Sequence, residues 1–238
     1  ASTVDQMPRQ VAAGYVFGTP VSVPVPDLDR TDYLVIIGAN PYASNGSLCT
    51  APDFPGRIEA IQSRGGTVVV VDPRRSRTAE QADRWLPIRP GADALMLAAI
   101  VTTLHEAGRI DAGAHVGPLL ADLDVAVAAC APFTAESVAA ATGLDAADIR
   151  RLAIDLADAP TATVYGRIGT TTTSFGTVTS WLIDLVNIVR SKEQADILHA
   201  IDRDLALRTA HPRWLVDALR SDRGEAGLAA LDANNEHP

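Results

Sequence analysis

Two short runs of apolar residues, Tyr33–Ile37 and Thr67–Val71, have the length and the branched side chains that are typical of fully buried strands. Between them, residues 56–64 carry isoleucines at helical spacing and run into two glycines, which predicts a helix. Strand, helix and strand within about 40 residues form a βαβ unit with parallel pairing. We therefore expect residues 38–41 and 72–75, which follow the two strands, to lie side by side at one edge of the sheet.

The alternation of strand and helix continues further along the chain. Residues 161–165 form a third apolar run, which predicts a third strand. Apolar stripes at helical spacing predict further helices at residues 93–107, 134–141, 145–158 and 175–189. After residue 189 the chain is polar and helical in tendency. The pattern predicts an α/β domain over residues 1–189, with a Rossmann-like parallel sheet flanked by helices, and a helical tail over residues 190–238.

The composition of the chain limits the kinds of partner it can bind and the cellular compartments in which we expect it. The 238 residues carry a net charge of −9, and the basic side chains are dispersed, which disfavours nucleic acid and membrane surfaces as partners. The longest apolar stretch, residues 94–104, is too short to span a bilayer, and the first residues do not resemble a signal peptide. We therefore expect a cytoplasmic protein. Because the chain begins without methionine, it is either a processed product or an interior piece of a longer protein.

Residues 38–41, with the sequence Gly-Ala-Asn-Pro, follow the first predicted strand. A glycine lets a phosphate or a pterin approach the backbone, and the amide of Asn40 offers both a donor and an acceptor. Glycine, asparagine and proline are also ordinary turn formers, so a plain turn is the alternative interpretation.

The segment that follows the second predicted strand carries charge suited to a nucleotide. Asp72 stands where ribose hydroxyls or a purine edge are usually bound in such units. The three arginines at positions 74, 75 and 77, together with Thr78, suit a pyrophosphate. A solvated basic turn is the alternative. The first loop is not G-x-G-x-x-G, and no phosphate-binding G-x-x-x-x-G-K-[ST] motif occurs, so a standard NAD site and P-loop phosphoryl transfer are both disfavoured.

Residues 85–93 contain two prolines around Ile88 and Arg89, which favour an extended segment, and Gly91 precedes Asp93. Asp93 has two interpretations. Its carboxylate would either cap the next helix or accept hydrogen bonds from the N1 and exocyclic amine groups of a guanine.

Together these segments resemble the molybdopterin oxidoreductase family, the bis(molybdopterin guanine dinucleotide) enzymes that include formate dehydrogenases and nitrate reductases. The similar segments are residues 2–8, 31–41, 71–74, 78–79, 82–83, 86–93 and 166–170. Their order and spacing are similar to the cofactor-binding region of that family over residues 1–189.

The resemblance implies a set of cofactor contacts. Gly38, Asn40 and Pro41 would touch a pterin guanine dinucleotide, Asp72, Arg74 and Thr78 would hold its guanosine and phosphates, and Asp93 would bind the guanine. The remaining residues that the resemblance places at the cofactor are Arg89, Gly91, Gly166, Arg167, Gly169 and Thr170. Arg167 is the candidate for a contact on the pterin side.

The resemblance also implies a function, the cofactor-binding portion of a molybdenum-dependent oxidoreductase that transfers an oxygen atom, a hydride or electrons on a small substrate such as formate or nitrate. In that family a [4Fe–4S] domain and the protein ligand to molybdenum precede this region. The chain has two distant cysteines, Cys49 and Cys130, without metal-binding spacing. We therefore assign it no catalytic residue and no metal ligand, and expect the isolated chain to be inactive. The other domains of the oxidoreductase or an electron-transfer partner would complete it.

Two other functions remain open. One is a non-catalytic nucleotide-binding module, which would keep the contacts of Asp72 and Asp93. The other rests on the tail, because residues 204–216 and 232–238 resemble the segment that precedes the catalytic domain of 16S rRNA cytosine-C5 methyltransferases. A fragment associated with such an enzyme would draw its function from residues 190–238.

Overall fold

The structure, a computed structural model, describes residues 5–22, 24–46, 49, 51–190 and 213–233. The chain divides into two compact units, residues 1–192 and 193–238. In the first unit, four strands form one parallel sheet: β1 (Tyr33–Ile37), β2 (Thr67–Val71), β3 (Arg84–Leu86) and β4 (Ala162–Gly166). Their order across the sheet is β3-β2-β1-β4. The prediction of an α/β fold with a parallel sheet is therefore confirmed.

The described helices of the first unit are α1 (Met7–Phe17), α2 (Pro41–Ser44), α3 (Phe54–Ser63), α4 (Arg77–Gln81), α5 (Asp93–Glu106), α6 (Gly113–Val116), α7 (Leu123–Cys130), α8 (Ala135–Thr142), α9 (Ala146–Asp158), α10 (Ile168–Thr171) and α11 (Gly176–Val189), with a 3-10 turn at Gly117–Leu119. The first two predicted strands have the predicted bounds. The third is shifted by one residue, and β3 was not predicted. Taken singly, no described helix is long and apolar enough to cross a membrane; only the bent pair α7 and α8 together meets that criterion.

The strands β1 and β2 pair in register from Tyr33 opposite Thr67 to Ile37 opposite Val71. Because successive side chains point to opposite faces, β1 contributes to two cores. Val35 lies in the larger core with the helices α5, α9 and α11, and Ile36 lies in the smaller core with α3. This double burial explains why the strands are continuous apolar runs.

The helix α5 passes through the larger core. Met96, Leu97 and Leu104 are fully buried, and the helix is apolar around much of its circumference because it packs against α8, α9 and α11. Its position matters for the site, because its first residue, Asp93, lies just beyond the carboxyl end of β3.

The described part of the second unit is one helical stretch, α12 (Arg213–Ala233), which is broken at Gly224, where φ is 55° and ψ is −141°. Val216 and Leu228 are buried against each other with Leu219 partly covering them. The segments 204–212 and 234–238, on which much of the methyltransferase resemblance rests, lie outside the described residues, as do residues 2–4 of the first family-like segment.

Candidate functional site

The loops after β1 and β2 meet at the carboxyl ends of the strands, as the βαβ pattern predicts. The amide N of Gly38 donates to the carbonyl of Val71 at 3.0 Å. The Oδ1 of Asn40 accepts from the hydroxyl of Thr78 at 2.7 Å and from its amide N at 3.3 Å. The Thr78 hydroxyl also accepts from the amide N of Tyr42 at 3.2 Å, and Thr78 is buried. The hydrogen bonds of Thr78 therefore link the loop after β1 to the loop after β2. We call the residues that follow β1, β2, β3 and β4 the rim.

The loop after β4 crosses the loop after β1 at a pair of glycines. The amide N of Gly169 donates to the carbonyl of Gly38 at 2.9 Å. A Cβ on Gly38 would lie 2.9 Å from the Cα of Gly169, and Gly38 also has a φ of 56°, which favours glycine. Packing against the loop after β4 therefore requires glycine at position 38, whether or not a cofactor binds there. Pro41, the first residue of α2, is buried behind this crossing.

The other residues of the third loop have mainly structural partners. A Cβ on Gly166 would lie 2.2 Å from the Cδ1 of Ile183, so packing against α11 requires glycine there. The hydroxyl of Thr170 donates to the carbonyl of Arg167 at 2.7 Å, and Thr170 is buried. The amide N of Arg167 donates to the carbonyl of Ile37 at 3.2 Å. Its guanidinium is half-buried and has no hydrogen-bond or ion-pair partner among the described residues, so it stays available to a ligand.

The loop after β2 presents both signs of charge. The Asp72 carboxylate accepts from the amide N of Arg74 at 2.8 Å, which forms a tight turn. The backbone carbonyl of Asp72 accepts from the indole N of Trp85 at 2.8 Å, and the Arg75 guanidinium lies 5.9 Å from the centre of the Trp85 ring. The side chain of Arg74 is exposed and pairs with no carboxylate in the described part of the chain.

Asp93 is a buried carboxylate at the rim. It is 6% exposed, and burial raises the pKa of its carboxyl to about 6, with the nearby Asp72 raising it further and the Asp93 backbone amide opposing the shift. The N-cap of α5 is Ala92, with no side-chain cap, so the interpretation of Asp93 as the helix cap is wrong. Binding of a guanine by this carboxylate stays a prediction.

Arg89 and Gly91 shape the approach to Asp93. The Ala92 amide N donates to the carbonyl of Arg89 at 3.1 Å, and Gly91 has a φ of 80°, so residues 89–92 form a turn that favours glycine at its third position. The Nη1 of Arg89 donates to the carbonyl of Ala140 at 2.6 Å. This contact directs the Arg89 side chain to the end of α8, where it satisfies a terminal carbonyl.

A cavity of about 380 Å³ lies beside β4, against α1 and α11, and was not predicted from the sequence. Gly166 and Arg167 line it, whereas Gly38, Asn40, Asp72 and Asp93 do not. It therefore extends along the outer edge of the sheet and away from the guanine-side residues of the rim.

One wall of the cavity holds a buried ion pair. Arg9 donates to both carboxylate oxygens of Asp184, at 2.7 and 2.8 Å, and to the carbonyl of Ser180 at 3.1 Å. Burial raises the pKa of Asp184, and Arg9 opposes that shift. The Asn187 side chain accepts from the amide N of Val164 at 2.9 Å and donates to its carbonyl at 2.9 Å. In the sequence, the only indication of this ion pair is that the acidic Asp184 lies within the otherwise apolar segment of α11.

Metal-binding side chains do not converge in the described ranges, where no group of three or more His, Cys, Asp or Glu residues is placed to hold a metal ion. Cys49 and Cys130 are buried and unpaired.

The comparisons with known proteins decide the family. A family model described as molybdopterin oxidoreductase matches residues 1–201. The chain belongs to this family. It is 40% identical over 80 residues to the molybdopterin-containing subunit ArrA of the arsenate respiratory reductase of Chrysiogenes arsenatis, which covers 32% of the chain and 9% of that protein. It is 33% identical over 139 residues to a nitrate reductase of Symbiobacterium thermophilum, covering 55% of the chain and 18% of the relative.

A solved structure supports the fold of this family member. The acetylene hydratase from Pelobacter acetylenicus matches with a TM-score of 0.66 at 22% identity, over 80% of the chain and 25% of the hydratase. The chain thus spans a quarter or less of the length of each of these three relatives. The fold and the family model therefore agree.

Proposed function

We propose that the rim binds the guanine dinucleotide portion of a molybdopterin cofactor and that the chain is the cofactor-binding portion of a larger molybdenum-dependent oxidoreductase. The observation that carries the proposal is Asp93, a buried carboxylate close to Asp72, which follows the strand β2 of the parallel sheet. A buried carboxylate without a cation is costly, and its presence at a ligand edge of the fold points to a partner that donates hydrogen bonds.

The donors and acceptors of the rim fit such a cofactor. Guanine offers two adjacent donors, its N1–H and its exocyclic amine, and the carboxylate of Asp93 has only acceptors. The exposed and unpaired guanidinium of Arg74 fits a phosphate. Asn40 and Thr78 hold the loops in place, and the Nδ2 of Asn40 has no acceptor among the described residues and so is available to the cofactor.

In this proposal the chain binds and orients, and other parts of the protein complete the enzyme. The bound molybdenum would supply the oxygen-atom or hydride chemistry on a small substrate such as formate or nitrate. Arg74 would neutralise phosphate charge, Asp93 would select guanine, and Arg167 would contact the pterin side. The protein ligand to the metal, the [4Fe–4S] centre and the electron-transfer partner would come from the remaining domains or from separate subunits.

Calorimetric titration of the whole chain with GDP, ADP and xanthosine diphosphate tests the proposal. We expect GDP to bind and ADP to bind at least tenfold more weakly, because adenine has no N1–H donor. Asp93→Asn replaces one acceptor by a donor, so it should weaken GDP by about 10- to 100-fold, the equivalent of one charged hydrogen bond. The same variant should bind xanthosine diphosphate more tightly than the unmodified chain does, since xanthine carries a carbonyl in place of the exocyclic amine.

The exchange of specificity separates recognition from damage to the fold. Asp145→Asn serves as a matched control, because Asp145 is exposed at the start of α9 and makes no capping hydrogen bond. Arg74→Gln should weaken GDP but leave guanosine nearly unchanged. Equal affinity for GDP and ADP, or unchanged GDP affinity in Asp93→Asn, would contradict the proposed role of the rim.

A further inference from the structure

The cavity beside β4 contains an arginine whose charge is not compensated. The Nε and Nη1 atoms of Arg190 are buried and have no hydrogen-bond partner among the described residues. Burial lowers the pKa of Arg190 to about 10, so the guanidinium is still protonated at neutral pH. A buried cation destabilises the folded state unless an anion or a hydrogen-bond acceptor pairs with it.

No carboxylate of the described residues pairs with Arg190, although three of them, Asp5, Asp27 and Asp184, line the cavity. Asp184 is held by both nitrogens of Arg9, and Asp27 pairs with Arg30 at 2.6 Å. The half-buried guanidinium of Arg167, which has no partner among the described residues, adds a second uncompensated positive charge.

One buried acceptor in the same wall also lacks a partner. The Oδ1 atom of Asp5 is buried and accepts no hydrogen bond from the part of the chain that the structure describes. The nearby amide of Asn187 is committed to Val164, and the Tyr165 hydroxyl donates to the carbonyl of Gly46 at 3.0 Å. The cavity therefore contains two guanidinium groups and one carboxylate without a partner among the described residues, an excess of one positive charge.

We propose that this cavity binds a small oxyanion, a phosphate or carboxylate that also carries a hydroxyl group, with Arg190 and Arg167 pairing with the anion and Asp5 accepting from the hydroxyl. A volume of about 380 Å³ admits such a molecule. The cavity does not include Asn40, Asp72 or Asp93, and of the residues assigned to the cofactor it shares only Gly166 and Arg167. Binding there is therefore separable from binding of the guanine and its phosphates.

Calorimetry on the whole chain at low ionic strength tests the site with three probes: glycerol 3-phosphate, inorganic phosphate and lactate. We expect at least one of the hydroxylated probes to bind. Arg190→Gln should weaken it by about 10- to 100-fold, the effect of losing one charge-assisted hydrogen bond. Comparison of glycerol 3-phosphate with lactate shows whether the anion is a phosphate or a carboxylate. Asp5→Ala removes the acceptor, so it should weaken binding of the hydroxylated probe and should not weaken binding of inorganic phosphate.

The controls distinguish this site from the rim. Arg151→Gln removes an exposed arginine of α9, and Asp93→Asn alters the rim; neither should affect the three probes. Arg190→Gln should leave the affinity for GDP unchanged, so failure of this proposal and failure of the proposed function are separable. Because Arg190→Gln removes an unpaired buried charge, we expect this variant to have a higher free energy of unfolding. If the Arg190→Gln protein does not fold, Arg167→Gln must weaken binding of the probe instead.

Three results would overturn the inference. One is no binding of any probe at millimolar concentration. Another is unchanged affinity in both Arg190→Gln and Arg167→Gln. The third is loss of binding in Arg74→Gln, which would place the anion in the loop after β2 and outside the cavity.

Discussion

Replacing the buried carboxylate of Asp93 should stabilise the chain while it weakens nucleotide binding. Burial raises the pKa of Asp93 from 3.8 to about 6 in the folded protein. The folded state therefore binds the Asp93 proton more tightly than the unfolded state does. The resulting stabilisation is complete below pH 3.8 and is lost as the pH rises through about 6, where the folded protein must hold a buried negative charge.

The pKa shift sets the magnitude. Each unit corresponds to about 1.4 kcal/mol, so ionised Asp93 costs the folded state about 3 kcal/mol above pH 6. Asparagine has nearly the same shape and no charge to bury. We expect Asp93→Asn to raise the free energy of unfolding by up to about 3 kcal/mol at pH 8, with the gain shrinking towards zero near pH 4.

Urea titration at a series of pH values between 4 and 8 measures the effect. Trp85 and Trp181 lie in the first compact unit, so their fluorescence in a Trp214→Phe background reports the unfolding of that unit. The urea midpoint should shift without a change in the slope m. Asp145→Asn should instead cause a loss of no more than about 1 kcal/mol, because its charge is exposed near a helix N-terminus. A gain in Asp93→Asn that is the same at pH 4 and pH 8, or no gain at either, would refute the reasoning.

Two further predictions concern packing around the cavity and the rim. Gly169→Ala would put a Cβ 2.7 Å from the Cα of Gly38, so it should reduce the free energy of unfolding by about 1–3 kcal/mol and weaken GDP binding. Gly14→Ala in α1 would place a Cβ with nothing within 4 Å and should raise the free energy of unfolding by about 0.5–1 kcal/mol. Urea midpoints measure the stability of both variants, and calorimetry measures their GDP binding. Arg9→Met should reduce the free energy of unfolding by about 3–5 kcal/mol by leaving Asp184 unpaired, and adding Asp184→Leu should restore most of it, which thermal and urea unfolding of the single and double variants would show.

The strands that sequence analysis located best are those buried on both faces. For Tyr33–Ile37 and Thr67–Val71 the local apolar run and the tertiary environment coincide, so the bounds were predicted to the residue. The strand Arg84–Leu86 was missed because it is three residues long and begins with an arginine, and it is a strand only because Val69–Val71 lies beside it. This strand forms because β2 supplies hydrogen-bond partners for it, and its own three residues are too few to show an alternating pattern.

The loops of the site were predictable because they follow recognisable strands, but the interactions across the cavity were not. Arg9 and Asp184 are 175 positions apart, and no local pattern relates them. Gly38 and Gly169 were both identified as candidate site residues, yet their contact with each other depends on the order of strands β1 and β4, which are separated by more than 100 residues. Burial of Asp93 likewise comes from packing around the start of α5 and is not visible in the segment 85–93.

The Asn187 amide has a consequence for how copies of this chain behave in solution. Among the described strands, β4 pairs only with β1, so its outer side would offer backbone groups to another polypeptide. The side chain of Asn187 occupies the amide and the carbonyl of Val164, in the middle of this five-residue strand. An approaching strand would have to break both hydrogen bonds before it could pair there. One side chain of α11 thus ends the sheet and protects its open edge from aggregation.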